Sequence, residues 1–250
     1  MKFTQHPTHH TAVSLGQELI TMWIVGIETS CREGSVALLD DDKLVVERSL
    51  SHAGRQHART LVHELQQMLA ESGVAPRLCD VIAVSRGPGS FTGLRVGVAC
   101  AKTWGFATGC AVIGVDTFEA VAQRAPSDLC EIDVIADAQR GDLYLGRYRR
   151  RVDTVWERQG EVGIVPADDW LYELRTDRTV TGPAVENLRS RLTANIGRLP
   201  EELRFPTASG VARIGKRTAE TGSIANLWSL EPLYLRRSSA EEKADLSRPL

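Results

Sequence analysis

Val81-Ile82-Ala83-Val84-Ser85-Arg86-Gly87-Pro88-Gly89-Ser90-Phe91-Thr92-Gly93-Leu94-Arg95 decides the fold of this chain. It joins an apolar run, Val81 to Val84, to a long apolar helix through a glycine-rich turn, the arrangement in which folds hold phosphate. Gly87 and Gly89 suit positive φ or the close approach of another backbone, and Ser90 is placed to cap the free N–H groups of the helix. The spacing matches neither the Walker loop nor the dinucleotide fingerprint. The turn therefore reads either as a phosphate cradle or as a tight connection without a ligand.

Upstream, Trp23 to Ser30 reads as a buried strand running into a polar turn, and Ser35–Asp40 and Leu44–Arg48 read as two more strands. The connections Arg32-Glu33-Gly34 and Asp40-Asp41-Asp42-Lys43 have turn chemistry. A helix is expected from His57 to Ser72, with Leu61, Leu65, Met68 and Leu69 on one stripe and Gly73 as its stop. Downstream come a short strand, Ala111–Val115, and a helix opened by Asp116-Thr117-Phe118-Glu119, a carboxylate form of the capping box. Three meandering strands continued by crossover units make a mixed sheet with helices on both faces.

Four strings in this order resemble the signatures of the TsaB family, also called YeaZ. They are Gly26-Ile27-Glu28-Thr29-Ser30, Arg86 to Gly97, Asp137-Ala138-Gln139-Arg140-Gly141-Asp142-Leu143-Tyr144, and Pro232-Leu233-Tyr234-Leu235-Arg236. The resemblance runs from Met22 to Arg236. It implies an α/β fold of the actin/Hsp70/sugar-kinase (ribonuclease H-like) kind, with two lobes, each a mixed sheet with helices. It further implies a non-catalytic subunit that binds and supports the related TsaD in forming threonylcarbamoyladenosine beside the tRNA anticodon. A TsaD homologue is the expected heterodimer partner, with a TsaE-type ATPase and tRNA joining through the larger complex. ATP and metal are expected on the partner, and no cofactor is expected on this chain. The rival class is an independent enzyme, either an ATP-dependent small-molecule kinase or a TsaD-like metalloenzyme.

Composition agrees with that expectation. A chain of 250 residues suffices for two lobes, and 30 basic against 32 acidic side chains, net −2, create no general field for nucleic acid. The five cysteines include no C-x-x-C pair, the usage of a reducing compartment, and no stretch has the length or pattern of a membrane span or signal peptide. The expected location is the cytoplasm, without a membrane partner. Residues 1–21 are polar and rich in His and Thr, and are expected to be a disordered extension with Met22 as the true start. His6, His9 and His10 within them give a rival reading as a metal-binding tail. A composition shift at Ala125-Pro126-Ser127-Asp128 divides an N-terminal lobe, 22–125, from a smaller lobe, 126–237, followed by a frayed tail, 238–250. In the second lobe Ile132–Ala136, Asp142–Arg149 and Val152–Glu157 read as strands, and Pro166-Ala167-Asp168-Asp169-Trp170 opens a helix. No internal repeat is visible.

The chain offers three sets of site residues. Glu28, Thr29, Ser30, Gly87, Gly89 and Ser90 are the candidate vestigial phosphate loops; Glu28 stands where active ATPases of the implied fold usually carry aspartate, which argues against hydrolysis by this chain alone. The turn Val180-Thr181-Gly182-Pro183 is a further strand-to-helix junction of the kind that closes nucleotide sites, or an ordinary turn. The second set lies on the helix after the glycine turn, where Gly93, Gly97, Ala101 and Gly105 recur every four residues and the rest of the surface is apolar nearly all round. That pattern suits either burial against the chain's own sheet or a partner. The resemblance implies an intermolecular helix bundle, with Leu61, Leu65, Met68, Leu94, Gly97, Val98 and Ala101 as the candidate contacts, and a homodimer by the same geometry. The third set, Arg147, Arg149 and Arg151, with Arg150, Arg158, Tyr144, Tyr148 and Trp156 nearby, reads as an RNA contact or as a solvated strand face.

Metal chemistry lacks its ligands. The resemblance implies that TsaD carries two histidines four residues apart on the helix after Ala111–Val115; here Thr117 and Val121 stand at those places. His57 and His63 are six apart, about 120° round a helix, and cannot share an ion.

Overall fold

The computed structural model describes residues 21–50, 57–151, 155–222 and 226–236. All but the last residue of the expected extension, with its histidines, and the expected tail 238–250 lie outside them, as do residues 152–154 of the expected third strand of the second lobe and the side chain of His57.

Two mixed sheets form the frame. In the first, β1 (Trp23–Glu28) pairs antiparallel with β2 (Ser35–Asp40), which pairs antiparallel with β3 (Lys43–Ser49). On its other edge β1 pairs parallel with β4 (Val81–Gly87), and β4 with β5 (Ala111–Asp116), giving the order β3-β2-β1-β4-β5. The parallel strands need crossovers, supplied by α1 (His57–Ser72) and α2 (Phe91–Thr108). Gly73 ends α1 at φ +68° and Gly109 ends α2 at φ +78°, positions where a Cβ is disfavoured. Both helices cover one face of the sheet through Leu61, Leu65, Met68, Val98 and Ala101, packed on Val25, Ile27, Ile82 and Val84.

The second sheet is built from β6 (Glu131–Gln139), β7 (Asp142–Arg150), β8 (Trp156–Arg158), β9 (Gly163–Pro166), β10 (Thr179–Thr181) and β11 (Gly197–Arg198). Its main path is β11-β10-β6-β7-β8, with β9 also on β7. β6 pairs antiparallel with β7 and parallel with β10, and β10 parallel with β11, so order and strand directions repeat those of the first sheet. This is the two-lobed α/β actin-like architecture, although no repeat is legible in the residues.

The expected segments 22–125 and 126–237 each contain one sheet, but a helix of each reaches across to the other. After β5 the chain forms α3 (Thr117–Ala122), whose Phe118, Val121 and Ala122 pack with Ile132, Val134, Tyr148 and Trp156 of the second sheet. After β11 it forms α5 (Ala208–Glu220), whose Ala208, Val211, Ala212 and Ile214 pack with Ile24, Leu39, Val81 and Ala83 of the first. Gly26 admits that crossing, because a Cβ there would lie 2.0 Å from the Ala208 carbonyl oxygen. Each half thus ends in a helix lodged on the other half's sheet. The remaining helix, α4 (Ala167–Glu173), has Asp168 and Asp169 in its first turn and buries Trp170 on the second sheet.

Candidate functional site

The structure brings the six residues of the glycine turn and the β1 turn together. Glu28 ends β1 with no exposed surface, and its Oε1 accepts hydrogen bonds from the Ser30 N–H and the Ser30 hydroxyl, both at 2.5 Å. Its other oxygen, Oε2, has no partner among the described residues. Burial pushes the carboxyl up to about 7, against the opposing pull of the Ser30 bonds. Across from it, Ser90 caps α2 by accepting from the Gly93 N–H at 3.3 Å, and its own N–H donates to the Ser30 carbonyl at 2.6 Å. A Cβ at Gly89 would lie 2.4 Å from that carbonyl oxygen, and one at Gly93 would lie 2.0 Å from the Thr29 carbonyl oxygen. The room the glycines provide is therefore filled by the chain's own main chain.

Outside this junction a cavity of about 480 Å³ opens at the start of α2, between Ser90, Thr92, Asp137, Tyr144 and Arg236. The segment 226–236 forms part of its wall and ties the two sheets together. Leu233 donates its N–H to the Arg86 carbonyl at 2.6 Å, and the Tyr234 ring lies 4.9 Å from that of Phe91. Arg95 sits 3.9 Å over Phe91 and donates to the Tyr234 hydroxyl at 2.8 Å. Arg236 then reaches the second sheet, donating to the Ala138 and Gln139 carbonyls and pairing with Asp142. The sequence singles out 232–236 but offers no role for it; a strap's partners are distant in the chain and leave no local periodicity.

The second set is corrected. Leu61, Leu65, Met68, Leu94, Gly97, Val98 and Ala101 are all buried in this chain, and of these only Leu61 and Leu65 also border open space. The small-residue stripe seats α2 on its own sheet: a Cβ at Gly97 would meet the Thr29 hydroxyl at 2.3 Å, and one at Gly105 would meet Val112 at 2.3 Å. The exposed surface of the helix pair is a different one. Between α1 and α2 runs an apolar groove of about 930 Å³, floored by Leu61 and Leu65 and rimmed by Val62, Val96, Ala99 and Trp104. Val62 is 52% exposed. A signal for this lining was present in the spacing Val62, Gln66, Ala70, four apart on α1, but a stripe that mixes apolar and polar residues carries little amphipathic contrast.

Arg147 and Arg149 on β7 and Arg151 just after it are exposed and matched by carboxylates. Arg149 pairs with Glu131 at 2.6 Å, Arg151 with Glu157 at 2.6 Å, and Arg147 approaches Glu173 at 4.0 Å. Arg150 stacks over Trp156 at 4.5 Å and donates to carbonyls of Ala125, Pro126 and Leu129. Tyr148 and Trp156 are buried, so neither ring is open to a base.

Thr117 and Val121 are also buried, Val121 in the contact of α3 with the second sheet. Asp116 caps α3 by accepting from the Phe118 N–H at 2.8 Å, whereas Glu119, the other half of the expected capping box, turns to Arg217 at 2.8 Å. Gly182 has φ +108° and a Cβ there would lie 2.2 Å from the Ile135 carbonyl oxygen, so this turn too is closed by main chain.

The family model described as "TsaD: tRNA N6-adenosine threonylcarbamoyltransferase" matches residues 51–202, more than half of the chain. The chain belongs to this family. Within the TsaD family it is of the TsaB (YeaZ) type, for its end-to-end relatives carry that name. The "tRNA threonylcarbamoyladenosine biosynthesis protein TsaB" of Escherichia coli is 26% identical over 232 residues, 89% of this chain and 98% of that one. The Bacillus subtilis protein of the same name is 28% identical over 229 residues, 89% and 97% of the two chains. The solved structure of YeaZ from Pseudomonas aeruginosa superposes with a TM-score of 0.75 at 24% identity, covering 86% of this TsaB-type chain and all of that one, and establishes the shared fold.

Proposed function

We propose that this chain is a non-catalytic subunit of tRNA threonylcarbamoyladenosine biosynthesis, docking a TsaD-type partner through the groove between α1 and α2. The observation that carries the reading is the groove itself: an apolar channel of about 930 Å³ on the outer face of two helices. An apolar groove between two helices is the kind of surface into which a partner lays a helix. The relatives' names supply the pathway. In this reading ATP, the threonylcarbamoyl donor and the catalytic metal belong to the partners, a TsaE-type ATPase and tRNA join through the complex, and the same groove supports a homodimer when the partner is absent. Three features support the non-catalytic assignment: Glu28 is enclosed, Thr117 and Val121 replace metal ligands, and the glycine turn is filled by main chain. None of the five cysteines, all of them among the described residues, is joined in a disulfide, which supports a cytoplasmic location.

Val62→Glu and Ala99→Glu test the docking. Both side chains are exposed, so each variant is expected to melt with the parent while losing TsaD binding at least tenfold, about 1.4 kcal/mol, and tRNA modification in a reconstituted system. Normal TsaD binding by both variants would place the interface elsewhere. Met68→Glu, by contrast, buries a charge in the core and is expected to unfold the chain.

A further inference from the structure

On the face opposite the groove, a cavity of about 430 Å³ lies between the end of α3 and α5, bounded by Gln123, Arg124, Arg213, Arg217 and Glu47. We propose that it is a binding site for a phosphoryl oxyanion, held by Arg124, Arg213 and Arg217.

The charges are arranged in favour of an anion. Three guanidinium groups border the cavity against one carboxylate, in a chain whose overall charge is −2. Glu47, the carboxylate, is engaged: it accepts from the Ser209 N–H at 3.1 Å, the Ser209 hydroxyl at 2.7 Å and the Ser35 hydroxyl at 3.1 Å. It therefore occupies the start of α5, and the anion belongs further along the helix. Arg217 is balanced by Glu119 at 2.8 Å. Neither Arg124 nor Arg213 forms a direct ion pair with a carboxylate among the described residues, although Glu47 and Glu202 attract Arg124 from further off. Arg124 donates to the Phe205 carbonyl at 2.7 Å and Arg213 to the Asp42 carbonyl at 2.5 Å, and both retain further N–H donors.

A second observation points the same way. Gln123 borders the same cavity, and its amide nitrogen is a buried donor with no acceptor among the described residues. Such a group destabilises a fold unless something supplies the missing acceptor. Burial also draws the Arg124 guanidinium below its usual range, the signature of a charge removed from water without full compensation. An oxyanion answers both deficits, since a phosphoryl group offers several acceptor oxygens to a planar guanidinium fork and to an amide. Gly210, Arg213, Ile214 and Arg217 follow one another along a single face of α5, so the cavity is a short channel. The phosphoryl group is either that of a small phosphorylated molecule or a backbone phosphate of RNA.

The experiment measures thermal unfolding of the full chain in inorganic phosphate against chloride at equal ionic strength, together with anisotropy of a labelled single-stranded RNA competed by phosphate. Phosphate is expected to raise the melting temperature of the parent. Gln123→Met is expected to be at least as stable as the parent in chloride, because it removes the orphaned donor, and to weaken phosphate binding about tenfold. Arg213→Gln, at an exposed position, is expected to keep the parent melting temperature in chloride and to lose phosphate binding to a similar degree. RNA binding competed by phosphate and lost in Arg213→Gln identifies the backbone phosphate as the source; phosphate binding without RNA binding identifies a small phosphorylated molecule. Stabilisation no greater than that by chloride, or stabilisation fully retained by both variants, would overturn the proposal. Should Arg124→Met fail to fold, these two variants still decide it.

Discussion

The two sheets share one topology and differ in the segment that succeeds the inner parallel strand, β4 in one and β10 in the other. After β4 the chain enters the 18-residue α2, whereas after β10 it makes only a 3-10 turn at Pro183–Val185 and a run of turns. The pairing strands differ in the same sense, six residues in β5 against two in β11. The first sheet therefore carries two long neighbouring helices with a groove between them, and the second is closed over by Trp170, Ala184, Val185, Leu188 and Leu192. Topology repeats because hydrogen-bond direction and crossover handedness constrain it. Surface does not repeat, because helix length is free to differ, and on this reading the docking function resides in that length.

The buried carboxylates sharpen the contrast most. Asp133 in the second sheet is paired with Arg178 at 2.9 Å and accepts from the Trp170 indole N–H at 3.1 Å, while Glu28 in the first has no cationic partner among the described residues. Asp133→Ala leaves the buried Trp170 N–H without an acceptor and removes one of the two carboxylates on Arg178, Glu131 remaining at 3.1 Å, and is expected to cost about 3 kcal/mol in urea unfolding. Glu28 acts through pH. Its carboxyl is raised from 4.5 to about 7 on folding, so the folded chain holds a proton that the unfolded chain releases. The associated stability is fully present below about 4.5 and is lost as pH rises through about 7, a change of about 3 kcal/mol. Comparing parent and Glu28→Gln from pH 4 to 8 should show that this decline disappears in the variant; parallel profiles would mean that Glu28 is ionised in both states.

The exchanged helices give the next test. A Cβ at Gly26 meets the backbone oxygen of Ala208 at 2.0 Å, whereas one at Gly146 meets ring atoms of Phe118 and Tyr148 at 2.8 and 2.9 Å. Backbone inside a helix cannot yield, but ring edges can. Gly26→Ala is expected to cost about 3 kcal/mol and Gly146→Ala about 1 kcal/mol. Equal losses would show that α3 and α5 are held with the same rigidity.

The smallest effect is expected at the strap. Arg236→Ala removes the half-buried ion pair with Asp142 and two carbonyl bonds, and should lower stability by about 1 kcal/mol. Its sharper readout is hydrogen exchange at Ala138 and Gln139, which should quicken while the first sheet remains protected.

Most of the frame was legible in local pattern. The helix expected over His57–Ser72 has those bounds, Ser90 and Asp116 cap where their side chains predicted, and the strands from Trp23 to Arg48 differ from expectation by a residue or two. These features depend on neighbours within a few positions, which a sequence displays directly. The exchange of α3 and α5 was not legible, because nothing in Phe118 or Val211 says which of two apolar sheet faces each will meet.

The site divides along the same line. The residue pattern alone established that α2 would be close-packed along Gly93, Gly97, Ala101 and Gly105, since only a neighbour at short range requires a stripe of minimal side chains. It could not determine who that neighbour is. A helix apolar nearly all round has no preferred inward direction, so its periodicity cannot separate core from interface. Tertiary packing, by setting Thr29, Val84 and Val112 against the stripe, turned those glycines inward and left Val62 and Ala99 to face outward.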